Sequence, residues 1–246
     1  RVALEAGTHS PWVSRQIESY GHQVIVANPR RVALIYGDHT KSDEIDAKTL
    51  AKLGRMDPEL LSPIRHRGAE TLADRAVLTA RTALVRSRAR LIRVARGIVK
   101  SHGQRLPACG AKCFAGKVRG NLPAELALAL TPLVETIDEL TRKIRAQDRE
   151  IERICEEKYP ETALLRQVVG VGAVTALRFV LTLENPHRFT SSRSVASYLG
   201  LRPRRSQSGG SDPQMRITKA GDREMRRLLV HSAHYILGPF GKDCDL

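Results

Sequence analysis

An α/β amino-terminal part, then a coiled coil, then a mostly α-helical carboxyl-terminal domain is the fold this 246-residue sequence predicts. Three observations predict it. Strand-like and helix-like patterns alternate at the start, which is the grammar of an α/β sheet. Apolar residues recur every seven positions in the middle, which keeps one helical stripe facing a partner. At Tyr159-Pro160 the heptads stop and the composition shifts, marking a boundary. The expected domains are residues 1–64, 65–158 and 159–246, and the chain is long enough for each to build a core.

Val2-Ala3-Leu4-Glu5-Ala6 reads as a short strand and residues 11–20 as a helix. Gly21-His22-Gln23-Val24-Ile25-Val26 reads as a second strand, closed by Asn28-Pro29. A helical pattern restarts at Ser42 or Asp43 and runs through Leu53. In the middle, apolar pairs fall at Val77/Leu78, Leu84/Val85, Leu91/Ile92 and Ile98/Val99. A second seam runs Leu126, Leu130, Leu133, Ile137, Leu140, Ile144, Gln147, Ile151 and Ile154. Between the seams, residues 101–123 hold Gly103, Pro107, Gly110, Gly116, Gly120 and Pro123 and read as a turn region. The two helices are thus free to fold back antiparallel or to pair with another subunit. Residues 161–246 read as a compact helical module without heptads.

The charge narrows the class of partner. The net charge is +15, with 41% hydrophobic residues. Residues 1–64 and 106–158 are each neutral, while residues 65–105 carry +9 and residues 159–246 carry +6. Basic charge confined to two segments suits a surface aimed at nucleic-acid phosphates, whose neutralisation releases counterions. Arg81, Arg86, Arg88, Arg90, Arg93, Arg96 and Lys100 share one helix that has no acidic residue from 75 to 105. Like charges along one helix cost stability, so an anionic partner is expected. No apolar run approaches 18 residues, so a soluble protein without a membrane span is expected. Cys109, Cys113, Cys155 and Cys244 are too sparse for a disulfide scaffold and suit a reducing cytoplasm; no second pair completes a zinc site with Cys109 and Cys113. Aromatic content of 4% argues for backbone and shape contacts to RNA over base stacking.

Three constellations carry candidate chemistry. Glu5 sits in an apolar strand, where a lone acid needs a partner or a cation. Asp43 and Asp46, three apart at a helix start, share a face, and three converging carboxylates would suit magnesium. A first-turn acid stabilised by the helix dipole is the competing reading for Asp43. Second, Gly170-Val171-Gly172 between apolar stretches resembles the hairpin of a helix-hairpin-helix, whose turn offers backbone N–H groups to a phosphate. A tight turn with a packing role competes with it. Third, Arg204-Arg205-Ser206-Gln207-Ser208-Gly209-Gly210 places serines beside arginines, which match phosphate oxygens bidentately. Downstream, Lys219 precedes a turn at Gly221, and Asp222 reads as the cap of a helix bearing Arg223, Arg226 and Arg227. No G-x-S-x-G elbow points to acyl transfer.

Taken in order, VALEAG at 2–7, Asn28-Pro29, KSDEIDAKTLA at 41–51, VVGVGAVTA at 168–176, YLGLRP at 198–203, QSGG at 207–210 and ITKAGDREMRRLL at 217–229 resemble the DEDD transposases of bacterial insertion sequences. These are serine recombinases guided by a bridge RNA. The resemblance implies a RuvC-like domain of the RNase H fold, here partial, then a coiled coil and a transposase domain. It implies that Glu5, Asp43 and Asp46 are three of the four acids and hold Mg2+. It also implies that Ser208, or the neighbouring Ser206, attacks DNA to give a covalent phosphoserine. DNA and a guide RNA are the expected partners, with Gly170, Gly172, Arg204, Arg205, Lys219, Arg223, Arg86, Arg90 and Arg93 as candidate contacts. Because the acids and the serine lie in different domains, a homo-oligomer, dimer or tetramer, is expected. The family's first Asp lies on a strand before VALEAG, so the chain is expected to lack its true start and to be inactive by itself. Two other readings stay open: a metal-dependent nuclease of the RuvC type, and a non-catalytic nucleic-acid-binding protein.

Overall fold

A computed structural model describes residues 1–32 and 42–239, and the chain divides into two compact units, Arg1–Ala69 and Glu70–Leu246. Cys244 lies outside the described residues.

In the first unit, strand β1 (Val2–Glu5) pairs in parallel with β2 (Val24–Ala27), in register from Val2↔Val24 to Glu5↔Ala27. Helix α1 (Ser10–Ser19) connects them, with proline in its first turn, where no intrahelical N–H is needed. The second strand was expected from Gly21 but starts at Val24. Gly21 instead takes a left-handed φ of +80° and closes α1, its N–H reaching Glu18 O at 2.9 Å. Asn28 ends β2 and receives the Arg30 amide on its side chain, which begins the short helix α2 (Pro29–Val32). Helix α3 (Asp43–Met56) lies on the sheet, close enough that a Cβ at Gly54 would come 3.3 Å from that of Ala3. Ile25, Ala27, Val32, Leu50 and Leu61 form the buried core. Consecutive buried residues along β2 mark a strand covered on both faces, as parallel sheets require.

The second unit is built on two long helices, α4 (Ala69–Ser101) and α6 (Ala127–Lys158). They run antiparallel within the chain. Arg81 meets Asp148 at 2.5 Å, and Arg88, seven residues on, meets Thr141, seven residues back. Leu78, Ile92 and Val99 of the first seam and Leu130, Ile137, Ile144 and Ile151 of the second are buried, because each takes the inward position of its heptad. The region 101–123, expected as turn alone, contains helix α5 (Phe114–Arg119). Phe114, Ala115 and Val118 fall at helical spacing and are buried against Ile92, Ala95, Leu130 and Val134, so packing overrides the flanking glycines.

Beyond α6 come the single turn α7 (Thr162–Leu165), α8 (Ala173–Leu183), α9 (Ser192–Tyr198) and α10 (Arg223–Leu237). Ala173, Leu177 and Leu181 of α8 pack on Leu78, Ile151, Ile154 and Cys155, which joins this region to the long helices. No helix among the described residues is long and apolar enough to cross a membrane.

Candidate nucleic-acid interface and serine finger

The carboxylates come first in the chain. Glu5 is exposed at the carboxyl end of β1. Ser42 caps α3, its side chain accepting from the Ile45 amide at 3.3 Å, and Asp43 and Asp46 are first-turn acids facing the positive end of the helix dipole. Their oxygen chemistry fits magnesium. Among the described residues, however, no group of three or more His, Cys, Asp or Glu side chains is gathered to hold a metal ion. The three acids therefore do not by themselves form a closed donor set here.

The glycine turn has two distinct halves. Gly170 has φ +81°, and a Cβ there would sit 2.7 Å from Ser232 O and 2.9 Å from Tyr235 Cβ. The Ser232 hydroxyl donates to Gly170 O at 2.8 Å, so Gly170 is required for packing against α10. Gly172 is different. It is the exposed N-cap of α8, with open space where a Cβ would stand. The element before this turn is only the single turn α7, so a full helix on that side is missing among the described residues.

The serine stretch is the tip of a finger. Residues 202–204 run antiparallel to 216–218: Arg204 N donates to Arg216 O and Thr218 N to Arg202 O, both at 2.9 Å. At the tip, Ser208 and Ser211 exchange backbone bonds of 3.1 and 3.0 Å around Gly209-Gly210. Gly209 has φ +55°, the left-handed value that a two-residue turn demands. Ser206 and Ser208 are exposed, as are Arg204 and Arg205, and Arg205 pairs with Asp212 at 3.4 Å. No protein group among the described residues bonds the Ser208 hydroxyl, which is presented to solvent on a fixed turn.

The base of that finger is held tightly. Gly200 and Gly221 have φ of +72° and +70°, and a side chain on either would run into the backbone of Ala220 or Tyr198. Lys219 N donates to Gly200 O at 3.1 Å while Lys219 itself takes a φ of +55°, an uncommon value for a residue with a Cβ. Arg226 donates to Leu199 O at 3.0 Å and to Ala220 O, clamping both ends of the finger. Asp222 caps α10 through Met225 N at 2.8 Å, as its position in the sequence suggested. Its other oxygen receives Arg75 of α4 at 2.7 Å and Arg178 of α8 at 2.8 Å. Burial works to raise this carboxyl's pKa, but the Met225 amide and the Arg178 and Arg75 guanidiniums more than offset it and hold the group below the ordinary value. The sequence signal for this junction was Arg178, a lone cation inside the apolar run of α8 that must find an acid when buried.

The arginines of α4 sort by partner. Arg86 pairs with Glu224, which also takes Arg227 at 3.0 Å, so it ties α4 to α10. Arg90 and Arg93 are exposed and have no ion pair among the described residues. Arg88 is buried, with Thr141 at 3.3 Å and its Nε unsatisfied. Arg86, Arg93 and Arg96 border an open recess of about 310 Å3, lined also by Cys109 and Ala111. Arg96 is held in place by Cys109 O at 3.0 Å and the Phe114 ring at 5.5 Å. Arg223 is exposed on the first turn of α10. With no acid in its lining, the recess suits an anion.

Residues 162–239 match the family model described as Transposase IS116/IS110/IS902 family, and residues 1–103 match the DEDD transposase model of the IS110 type. The chain is similar to the probable family 20 transposase of Pseudomonas aeruginosa, with 25% identity over 243 residues, covering 96% of this chain and 71% of that one. It is similar to the transposase for insertion sequence element IS1328 of Yersinia enterocolitica, with 28% identity over 94% of this chain and 69% of that one. It is also similar to the transposase for insertion sequence element IS1111A of Coxiella burnetii, at 30% identity, with 96% of this chain and 65% of the relative covered. The chain thus spans about two thirds of the length of these relatives.

Proposed function

The chain belongs to the IS116/IS110/IS902 family of transposases, and from that premise we propose that it cuts and rejoins DNA strands through Ser208. The observation that carries this reading is the serine's place: an unbonded hydroxyl at the tip of a glycine turn whose base is locked by Arg226 and Asp222. The Ser208 oxygen attacks a phosphodiester phosphorus, forming a serine–phosphate bond as the bond from phosphorus to one DNA oxygen breaks. The hydroxyl proton passes to the departing DNA oxygen or to water, and reversal onto a second strand's hydroxyl completes the exchange. Arg204 and Arg205 stand beside the serine in the chain and supply guanidiniums for the phosphate oxygens. Ser206 is the reserve nucleophile.

Arg90 and Arg93 with Arg86, the Gly172 end of α8, Lys219 and Arg223 provide backbone contacts to DNA and to a guide RNA. The carboxylates Glu5, Asp43 and Asp46 are the proposed Mg2+ donors, the ion serving to neutralise phosphate charge. Acids and serine act together in a homo-oligomer. The test is a denaturing gel of the intact protein, its RNA and end-labelled DNA. A covalent adduct is expected, with the phosphate mapped by mass spectrometry to the peptide bearing Ser208. Free DNA ends without adduct, abolished by Asp43→Asn but not by Ser208→Ala, would instead support a metal-dependent nuclease.

A further inference from the structure

We infer that Asp222 is a positioning residue whose carboxylate keys the Ser208 finger to the arginine-bearing helix α4 and to α8; this rests on Ser208 being the nucleophile. The finger ends at Gly221, so Asp222 is the first residue after it. One carboxylate oxygen starts α10 by accepting the Met225 amide, and the other holds Arg75 of α4 and Arg178 of α8. The Asp222 and Arg178 side chains are each 10% exposed and Arg75 17%, so the cluster is shielded from water.

A buried ion cluster of this kind is a poor device for stability alone, because desolvating three charges offsets most of their attraction. What it supplies is direction. A hydrophobic contact tolerates sliding, whereas two guanidiniums converging on one oxygen fix three helices at one point. Two further arginines repeat the pattern around it. Arg226 clamps Leu199 O and Ala220 O at the two ends of the finger, and Arg86 reaches Glu224, two residues past Asp222. The same helix α4 presents the unpaired Arg90 and Arg93. Nucleic acid held on that face and the serine that attacks it therefore share a frame set at Asp222. Misplacing a nucleophile by about 1 Å costs on the order of a hundredfold in rate, with no loss of binding required.

The experiment uses the full chain with an end-labelled duplex of the element's own end and RNA transcribed from the flanking sequence. Asp222→Asn keeps the shape and an oxygen for the Met225 amide while removing the charge. Its covalent-adduct rate is expected to fall by at least tenfold, with duplex affinity kept within about twofold. Amide hydrogen exchange at Thr218 and Lys219 is expected to accelerate while α4 and α6 core amides stay protected. Should Asp222→Asn fail to fold, Arg75→Met, which removes one of the two guanidiniums, is expected to show the same split, with Arg75→Lys recovering part of the rate. An unchanged adduct rate, or a rate loss matched by an equal loss of binding, overturns the inference. Ser208→Ala is run alongside: an adduct surviving in it sinks the serine reading. In that case the exchange measurement alone decides whether Asp222 fixes the finger, and unaccelerated Thr218 and Lys219 overturn that as well.

Discussion

The arginines at the base of the finger and those on the outer face of α4 are one residue type in opposite circumstances. Arg75, Arg178 and Arg226 are at least partly buried, and each guanidinium is bonded to Asp222 or to backbone carbonyls. Arg90 and Arg93 are exposed and unpaired among the described residues. A buried cation without an acid would cost several kcal/mol, so the first set is fixed by the fold. The second set is tolerated only because water solvates it, which leaves it available to phosphates. Partner and burial, not residue type, separate the arginines that hold the fold from those left in solvent.

The strongest way to break that comparison is Asp222→Ala. It strands two guanidiniums and uncaps α10, and a loss of about 3–5 kcal/mol in urea unfolding is expected; a loss under about 1 kcal/mol would mean the junction is not structural. Gly200→Ala attacks the same base through the backbone. A left-handed φ costs a residue with a Cβ on the order of 1–3 kcal/mol, and the added carbon meets Ala220, so a lowered thermal midpoint is expected. The double variant Arg90→Ser, Arg93→Ser sharpens the other side. Its thermal midpoint should match the parent's, while the slope of log affinity against log salt falls by about two, one for each lost phosphate contact. An unchanged slope would remove those residues from the interface.

The smallest expected effects are in pH. The folded Asp222 carboxyl lies below its ordinary value, so its contribution is full above the ordinary carboxylate range and is lost as pH falls through the lower folded value. At the start of α4, the Tyr159 hydroxyl donates to Asp74 at 2.9 Å. Burial first, then that carboxylate, pushes its pKa up to about 12. Its contribution is therefore complete below the ordinary tyrosine value of about 10 and is lost as pH rises through the folded one. Phenolate absorbance should show a tyrosine titrating at about 12, and Asp74→Asn should bring it earlier.

Local patterns were legible in the sequence where one principle decided them. The heptads chose Leu78, Ile92, Ile137 and Ile151 as buried positions, and Asp222 before a helix read as its cap. Helix α5 was hidden because Gly110, Gly116 and Gly120 signal turns, while the burial of Phe114 and Val118 is a property of the assembled core. The sequence left Gly170 between phosphate contact and packing, and its packing against α10 was hidden because only the fold brings Ser232 beside it. Arg75 and Arg178 are 147 and 44 residues from Asp222, and no periodicity links such distant partners. Glu5, Asp43 and Asp46 were legible as an acid at a strand end and two acids three apart at a helix start, and α3 carries the two helical acids in its first turn.

The central claim, that the finger presents a nucleophile, is tested most directly by covalent capture of labelled DNA by three proteins: the parent, Ser206→Ala and Ser208→Ala. The account expects adduct from the first two and none from the third. Adduct from Ser208→Ala at the parent's level would contradict it.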